Sequence, residues 1–131
     1  YENLLSNLAK LKHEEDKIIT VFGCGGDRDA RKRCKMAKTS ETYAAFSFIT
    51  MDNPRTESLD NINANIIKGF SGSNYKIIVN RKTAVETALR KMDDRSILLI
   101  LGKGRENFQE IGAEKKPHSD IDIIRGFRHA G

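Results

Sequence analysis

The sequence predicts an α/β fold in which helices flank a mainly parallel β-sheet. Short β-branched or apolar runs, which favour strands, alternate along the chain with amphipathic helical patterns, and this alternation is typical of βαβ units. The chain has 131 residues, of which 38% are hydrophobic and 31% charged. That length and composition fit a single globular domain, and we expect it to span residues 1–131.

Four segments are predicted strands. Residues 17–23 form a β-branched run that ends in glycine. Residues 45–50 (AFSFIT) and 76–79 (KIIV) are two shorter predicted strands. Residues 96–101 (SILLIL) are the most apolar run in the chain. Because a strand covered on both faces is apolar throughout, we expect this segment to be a central parallel strand.

Helices are predicted where apolar residues recur every three or four positions. Ser119 and Asp120 form an N-cap pair that predicts the start of a last helix through Phe127, and Gly69 is a strong stop signal for an earlier one. The predicted helices cover residues 2–12, 30–42, 58–68, 81–92 and 120–127.

The chain has a formal net charge of +5. Nucleic acid, an anionic small substrate and a solvated basic surface each explain such a charge. Binding of single-stranded nucleic acid favours aromatic residues interleaved with basic ones, and this sequence lacks that pattern. Charge alone therefore leaves the three interpretations open.

Cysteine and histidine spacing does not predict a metal centre or a catalytic nucleophile. Cys24 and Cys34 lack the spacing of a metal-ligating or redox pair, so we expect a reduced protein without disulfide or zinc. His13, His118 and His129 share no spacing with a candidate nucleophile, and we predict that all three lie at the surface.

Three unusual segments follow predicted strands: residues 23–33, 50–55 and 102–106. In open parallel sheets, ligands bind beyond the carboxyl ends of the strands. The topology should bring these segments to one edge, and their convergence is the main indication of a binding site.

The glycine-rich first segment (GCGGDRD) allows the backbone to turn sharply and to approach a ligand closely. It is not a dinucleotide fingerprint, because Arg28 occupies the position of the last glycine, and it lacks the Gly-Lys-Ser/Thr of a P-loop. A tight turn before a solvated basic helix explains it equally well.

The second and third segments are also open to two interpretations. In the Asp52-Asn53-Pro54-Arg55 turn, Arg55 could bind a carboxylate through two parallel hydrogen bonds, or the segment could be an ordinary turn before a helix. The Gly102-Lys103-Gly104 sequence suits either a phosphate cradle or a flexible turn.

Taken together and in this order, the segments resemble signature stretches of the Mur ligases that add diaminopimelate. The matching stretches are VFGCGGDRDARKR, TMDNPRTE and GKGRENFQEIG, and Ser119-Asp120 resembles the family's closing Ser-Asp. The resemblance extends over residues 1–131. It implies the C-terminal, Rossmann-like domain of such a ligase, without its first strand and without the N-terminal UDP-binding and central ATP-binding domains.

The resemblance also implies a function. The family adds meso-diaminopimelate to UDP-N-acetylmuramoyl-L-Ala-D-Glu in peptidoglycan synthesis, with ATP and Mg²⁺ bound mainly by the central domain. The C-terminal domain is implied to bind the incoming amino acid and to close over ATP. We therefore expect this chain to lack a cofactor, to be inactive alone, and to be a monomer in the bacterial cytoplasm with neither nucleic acid nor membrane as partner. A close isostere of diaminopimelate, and a basic α/β module that binds nucleic acid or a nucleotide, remain alternatives.

By resemblance, the amino acid's distal carboxylate is bound by Arg55, and its distal ammonium by the carbonyl of Gly102 and by Glu106. The family has histidine where this chain has Arg105, a permanent charge that could pair with Glu106. No catalytic residue or metal ligand is predicted. The predicted substrate-binding residues are Arg28, Asp52, Asn53, Pro54, Arg55, Gly102 and Glu106.

Overall fold

The computed structural model describes residues 2–27, 30–102, 106 and 108–130, with residues 128–130 described by their backbone alone. Five helices and six strands follow one another in these residues. Their order is α1 (Glu2–Leu11), β1 (Lys17–Phe22), α2 (Arg31–Tyr43), β2 (Phe46–Ile49), α3 (Leu59–Ile67), β3 (Tyr75–Ile77), α4 (Arg81–Lys91), β4 (Ser96–Ile100), β5 (Phe108–Ile111), β6 (Glu114–Pro117) and α5 (Asp120–Ala130).

The main sheet has four parallel strands in the order β3-β2-β1-β4. The predicted fold class, a parallel sheet flanked by helices, is confirmed. The prediction that residues 96–101 form a central strand is wrong, because β4 lies at an edge of the described sheet and is only half-buried. Apolar composition reflects the covering of a strand's faces by helices, whereas strand order is set by the crossovers.

Helices cover both faces of the sheet. Successive side chains of a strand point to opposite faces, so Val21 packs with the cluster under α4 whereas Phe22 packs with the cluster under α2 and α3. Two separate apolar cores result. The first contains Ile19, Val21, Phe48, Ala84, Val85 and Ala88, and the second contains Phe22, Ala37, Ile49, Ile62 and Ile66.

Side-chain caps start three of the helices. Ser58 accepts a hydrogen bond from the backbone N–H of Asn61, and Asn80 accepts one from that of Thr83 at 2.9 Å. Ser119 caps α5 as predicted, since its Oγ accepts from the third residue along the chain at 3.2 Å. The helix then continues to residue 130, beyond the predicted end at 127.

An antiparallel hairpin, β5–β6, was not predicted from the sequence. Gly112 forms its turn with a φ of +61°, a conformation that glycine adopts without strain. The hairpin's second strand is exposed along its whole length and is mostly charged. It therefore lacks the apolar alternation that would have indicated a strand.

The guanidinium of Arg81 is fully buried and joins three elements. Its Nε and Nη2 donate to the two carboxylate oxygens of Asp120 at 2.9 and 2.8 Å. Nη1 donates to the carbonyl of Met51 at 3.2 Å, and Nη2 also donates to that of Leu101 at 3.0 Å. One side chain at the start of α4 thus fixes the carboxyl ends of β2 and β4 to α5.

His118 joins the same cluster, with Nε2 2.7 Å from Oδ1 of Asp120. Its side chain is only 7% exposed, so the prediction that it lies at the surface is wrong. The neighbouring buried carboxylate, two residues along the chain, attracts the imidazole inward. His13 is exposed as predicted, and the side chain of His129 lies outside the described residues.

Asp120 should make stability depend on pH. Burial by itself raises the pKa of Asp120, but hydrogen bonds from His118 and Arg81, together with the charge of Arg81, lower it to about 2. A carboxylate with a lowered folded-state pKa stabilises the fold above its unfolded-state pKa, and this contribution is lost as the pH falls toward 2. We expect Asp120 to contribute about 2 kcal/mol to this loss between pH 5 and pH 2.

Urea denaturation at several pH values measures this effect. Asp120→Asn should remove part of the pH slope, and it should cost roughly 3–5 kcal/mol at pH 7 because it leaves the Arg81 guanidinium buried without its carboxylate. Asp122→Asn, an exposed acid in the first turn of the same helix, is the control and should keep the slope. Equal slopes for the two variants would contradict the assignment.

Candidate functional site

The glycine loop and the Asp-Asn-Pro-Arg turn touch each other at the carboxyl edge of the sheet. The backbone N–H of Gly26 donates to the carbonyl of Asn53 at 2.7 Å. A Cβ added at Gly26 would collide with the carbonyl of Pro54, and one at Gly23 would collide with that of Thr50. The glycines are therefore required for close backbone approach, and the predicted convergence of these two segments is confirmed.

Asp27 fastens the glycine loop to the residues that follow the turn. Its Oδ2 accepts from the backbone N–H and the hydroxyl of Thr56 at 3.1 and 2.6 Å. Its own backbone N–H donates to Glu57 at 3.0 Å. The bonds from Thr56 lower the pKa of Asp27, so the carboxylate stays charged and the connection holds at neutral pH.

Arg33 and Glu57 form a bidentate ion pair behind the loop. Nη1 and Nη2 of Arg33 each donate to one oxygen of Glu57 at 2.7 Å, and Nη2 also donates to the carbonyl of Gly25 at 3.1 Å. The hydrogen bonds from Arg33 and from the N–H of Asp27 lower the pKa of Glu57 to about 2. Arg33 is only 2% exposed, so this member of the basic helix supports the loop instead of facing solvent.

Arg55 connects the turn to the hairpin. Its φ is +52°, a left-handed conformation that is uncommon for a residue with a side chain. Two backbone bonds hold it there, from its N–H to the carbonyl of Glu110 at 2.9 Å and from Gly112 to its own carbonyl at 2.6 Å. The guanidinium donates through Nε to Glu110 at 2.8 Å and through Nη1 to the carbonyls of Gly26 and Asn53 at 3.1 and 3.3 Å.

Two further residues of the hairpin bind the turn, and the sequence did not indicate them. Gln109 donates through Nε2 to the carbonyls of Met51 and Asp52 at 3.1 and 3.2 Å. The backbone N–H of Glu110 donates to Oδ1 of Asn53 at 2.8 Å. The turn is thus held from both sides, and the only signal in the sequence was that residues 109 and 110 lie within the stretch GKGRENFQEIG.

The third predicted segment meets the second at Gly102. The glycine has a φ of +106°, and a Cβ there would lie 3.0 Å from Oδ2 of Asp52. Glu106 is half-buried. Arg28, for which a role was predicted, lies outside the described residues, as does the segment 103–105. The described part of the site therefore comprises Asp52, Asn53, Pro54, Arg55, Gly102 and Glu106.

A cavity of about 240 Å³ opens beside Arg55, with the hairpin as its other wall. A larger and more open groove of about 1010 Å³ lies between α4, α5 and the end of the hairpin. None of the predicted site residues that the structure describes lines the groove, whereas Arg55 lines the smaller cavity. The smaller cavity is thus the one that adjoins the predicted carboxylate-binding group.

Cys24 and Cys34 are both free thiols. Burial raises the pKa of Cys24 to about 11, which makes it a poor nucleophile. Among the described residues, no group of three or more histidines, cysteines or acidic residues could hold a metal ion. No helix within that part of the chain is long and apolar enough to cross a membrane.

Residues 1–104 match the family model described as Mur ligase, glutamate ligase domain. The chain belongs to the Mur ligase family. The membership inferred from the three segments of the sequence is thereby confirmed.

Relatives in the family are named UDP-N-acetylmuramoyl-L-alanyl-D-glutamate–2,6-diaminopimelate ligase. The protein of that name from Chlamydia trachomatis serovar D is 49% identical over 123 residues, which are 94% of this chain and 25% of the relative. The one from Rickettsia montanensis is 40% identical over 124 residues, or 95% of this chain and 26% of the relative. The chain thus spans about a quarter of the length of these relatives.

A solved structure with the same ligase name superimposes with a TM-score of 0.89 at 33% sequence identity. It covers 98% of this chain and 26% of its own chain. This similarity confirms the Mur ligase fold expected from the sequence. The alternative of a nucleic-acid-binding module receives no support from any of these comparisons.

The contact between Gly26 and Pro54 can be tested by stability. Gly26→Ala should lower the free energy of unfolding by roughly 2–4 kcal/mol, because the new methyl group meets a backbone carbonyl that cannot move alone. Gly126→Ala is the matched control, since nothing lies within 4 Å of its Cβ position in α5, and it should stabilise the helix by about 0.5–1 kcal/mol. Similar urea midpoints for the two variants would contradict this packing.

Proposed function

We propose that this domain binds diaminopimelate as the C-terminal part of a longer ATP-dependent ligase. That ligase would join the amino acid to UDP-N-acetylmuramoyl-L-Ala-D-Glu, as the names of the relatives suggest. The observation on which the proposal rests is the meeting of Gly26, the 52–55 turn and Gly102 at one edge of the sheet, with Arg55 facing a cavity. Such an edge is where α/β sheets bind ligands.

The distal end of diaminopimelate has a carboxylate and an ammonium, and the site offers a group for each. Arg55 is 24% exposed, and within the described residues its Nη2 has no hydrogen-bond partner, so we propose that Nη2 donates to the carboxylate. The carbonyl of Gly102 and the carboxylate of Glu106 are proposed to accept from the ammonium, and Arg28 to contact the amino acid. Binding of charged groups by such partners is strong and directional.

The turn residues before Arg55 are proposed to position it. Asn53 and Pro54 are buried, and the side chain of Asn53 is used by the hairpin through its bond with the N–H of Glu110. Asp52 lies against Gly102 and so sets the distance between the two parts of the site. These three residues therefore contribute through geometry more than through direct contact with the amino acid.

The role proposed for the domain is to hold the distal end while the other amine attacks. ATP with Mg²⁺ supplies the phosphate that activates the acceptor carboxyl group, and we propose that both are bound mainly by parts of the ligase outside this chain, which is about a quarter of its relatives' length. A bacterial cytoplasmic location and a monomeric state are proposed as well. The free thiols of Cys24 and Cys34 accord with a reducing compartment.

Arg55→Lys in the full-length ligase should raise the KM for diaminopimelate far more than that for ATP. Lysine keeps the charge but cannot reproduce the planar set of donors, and the lost charge-assisted bond should cost roughly 1.5–3 kcal/mol, or about 10- to 100-fold in KM. Steady-state kinetics with each substrate varied in turn measures both constants.

Arg95→Lys is the control for this substitution, because Arg95 is an exposed arginine that pairs with Glu15 far from the edge. It should leave both KM values within about twofold of the wild type, as exposed ion pairs contribute little. An unchanged KM for diaminopimelate in Arg55→Lys would show that Arg55 serves only the turn and would refute the proposed role.

The chain by itself should form no amide bond. We propose that the groups that activate the acceptor carboxyl group lie mainly outside it, so that a mixture of the isolated chain with ATP, Mg²⁺, diaminopimelate and the UDP-linked dipeptide should yield no tripeptide by mass spectrometry. The full-length ligase under the same conditions is the positive control. Product from the isolated chain would refute this division of labour.

A further inference from the structure

The carboxylate of Glu110 occupies a position where a substrate carboxylate would be expected. It accepts from Nε of Arg55 at 2.8 Å, and the two side chains are 24% and 30% exposed. Both line the cavity of about 240 Å³ together with Lys115. A bidentate carboxylate uses two neighbouring donors of a guanidinium, and one of these, Nε, is already bound within the protein.

Glu110 is not needed to hold Arg55 in place. Nη1 of Arg55 already donates to the carbonyls of Gly26 and Asn53. The backbone of Arg55 is fixed by the bonds to the carbonyl of Glu110 and from the N–H of Gly112, neither of which uses the Glu110 side chain. The position of Arg55 therefore does not depend on the negative charge of the Glu110 carboxylate.

We propose that Glu110 is a specificity-determining residue whose carboxylate stands in for the amino acid's distal carboxylate and is displaced when that carboxylate binds. The inference rests on the proposed function. Like charges that share one guanidinium repel each other, so the entering carboxylate and Glu110 compete for Arg55. Glu110 thereby weakens the binding of every substrate that has a distal carboxylate.

Lys115 provides a second partner for the displaced side chain. It lies directly opposite Glu110 in the register of the hairpin, and the Cβ atoms of such pairs are about 4.5–5.5 Å apart. Its ammonium now lies over the ring of Phe108, 4.8 Å from the centroid. When Arg55 turns to the substrate, Glu110 can pair with Lys115, so neither carboxylate is left without a cation.

The exchange alters the discrimination against lysine, which lacks the distal carboxylate. Without Glu110, lysine would leave Nε of Arg55 without an anionic partner, and sites of that kind reject an incomplete substrate strongly. With Glu110, the ion pair stays closed when lysine enters, and the penalty is smaller. Removal of the Glu110 charge should therefore increase the preference for diaminopimelate over lysine.

The test is Glu110→Gln in the full-length ligase, assayed with diaminopimelate, with 2-aminopimelate, which lacks the distal ammonium, and with lysine. We expect the KM for the two dicarboxylates to fall about 2- to 10-fold, in line with a partly exposed ion pair. The KM for lysine should be unchanged or raised, and that for ATP unchanged. Glu15→Gln is the control and should change none of these values, because Glu15 is an exposed acid that pairs with Arg95 and does not line the cavity.

Three results would overturn the inference. A higher KM for both dicarboxylates would mean that Glu110 positions Arg55. A higher KM for diaminopimelate and lysine, with 2-aminopimelate unaffected, would mean that Glu110 binds the ammonium. Unchanged constants would mean that the ion pair has no part in binding.

Lys115→Gln gives an independent test if Glu110→Gln does not fold. It removes the group that receives Glu110 and should raise the KM for both dicarboxylates, whereas an unaltered KM would overturn the exchange. Failure of the proposed function itself is recognised separately, because Arg55→Lys would then leave the KM for diaminopimelate unchanged.

Discussion

The buried guanidinium of Arg81 is the contact on which the geometry of the carboxyl edge depends. It binds the carbonyls of Met51 and Leu101 as well as the carboxylate of Asp120. Those carbonyls follow β2 and β4, and β1 lies between these two strands. The two segments that Arg81 joins are therefore about 9–10 Å apart. Because Asp52 and Gly102 come directly after them, Arg81 ties together the starts of the two halves of the site.

Three arginine–carboxylate pairs surround the turn, and they differ in exposure in a way that matches their proposed roles. The pairs of Arg81 with Asp120 and of Arg33 with Glu57 have arginines that are 0% and 2% exposed. Breaking such a pair leaves a buried charge and is costly. The pair of Arg55 faces a cavity and is about a quarter exposed, which makes it the one that can exchange its partner for a substrate.

The sequence predicted the elements and their meeting point better than the contacts that hold them. Periodicity and glycine stops located the helices and strands of the main sheet, and topology alone indicated that the three segments would converge. The edge position of β4 was missed, because apolar composition does not encode strand order. The pairing of Glu110 with Arg55 depends on a contact between distant segments, and so does the bond from Arg81 that buries Asp120 beside His118. One sequence contains no pattern for such contacts.

In the proposed complex, Arg55 binds the distal carboxylate of the amino acid at the carboxyl edge of the sheet. A crystal structure of the full-length ligase with bound diaminopimelate would test this binding mode. We expect the distal carboxylate within about 3 Å of Nη2 of Arg55, with the Glu110 carboxylate moved away from Nε. An amino acid bound in the groove between α4 and α5, with the ion pair of Arg55 and Glu110 intact, would contradict it.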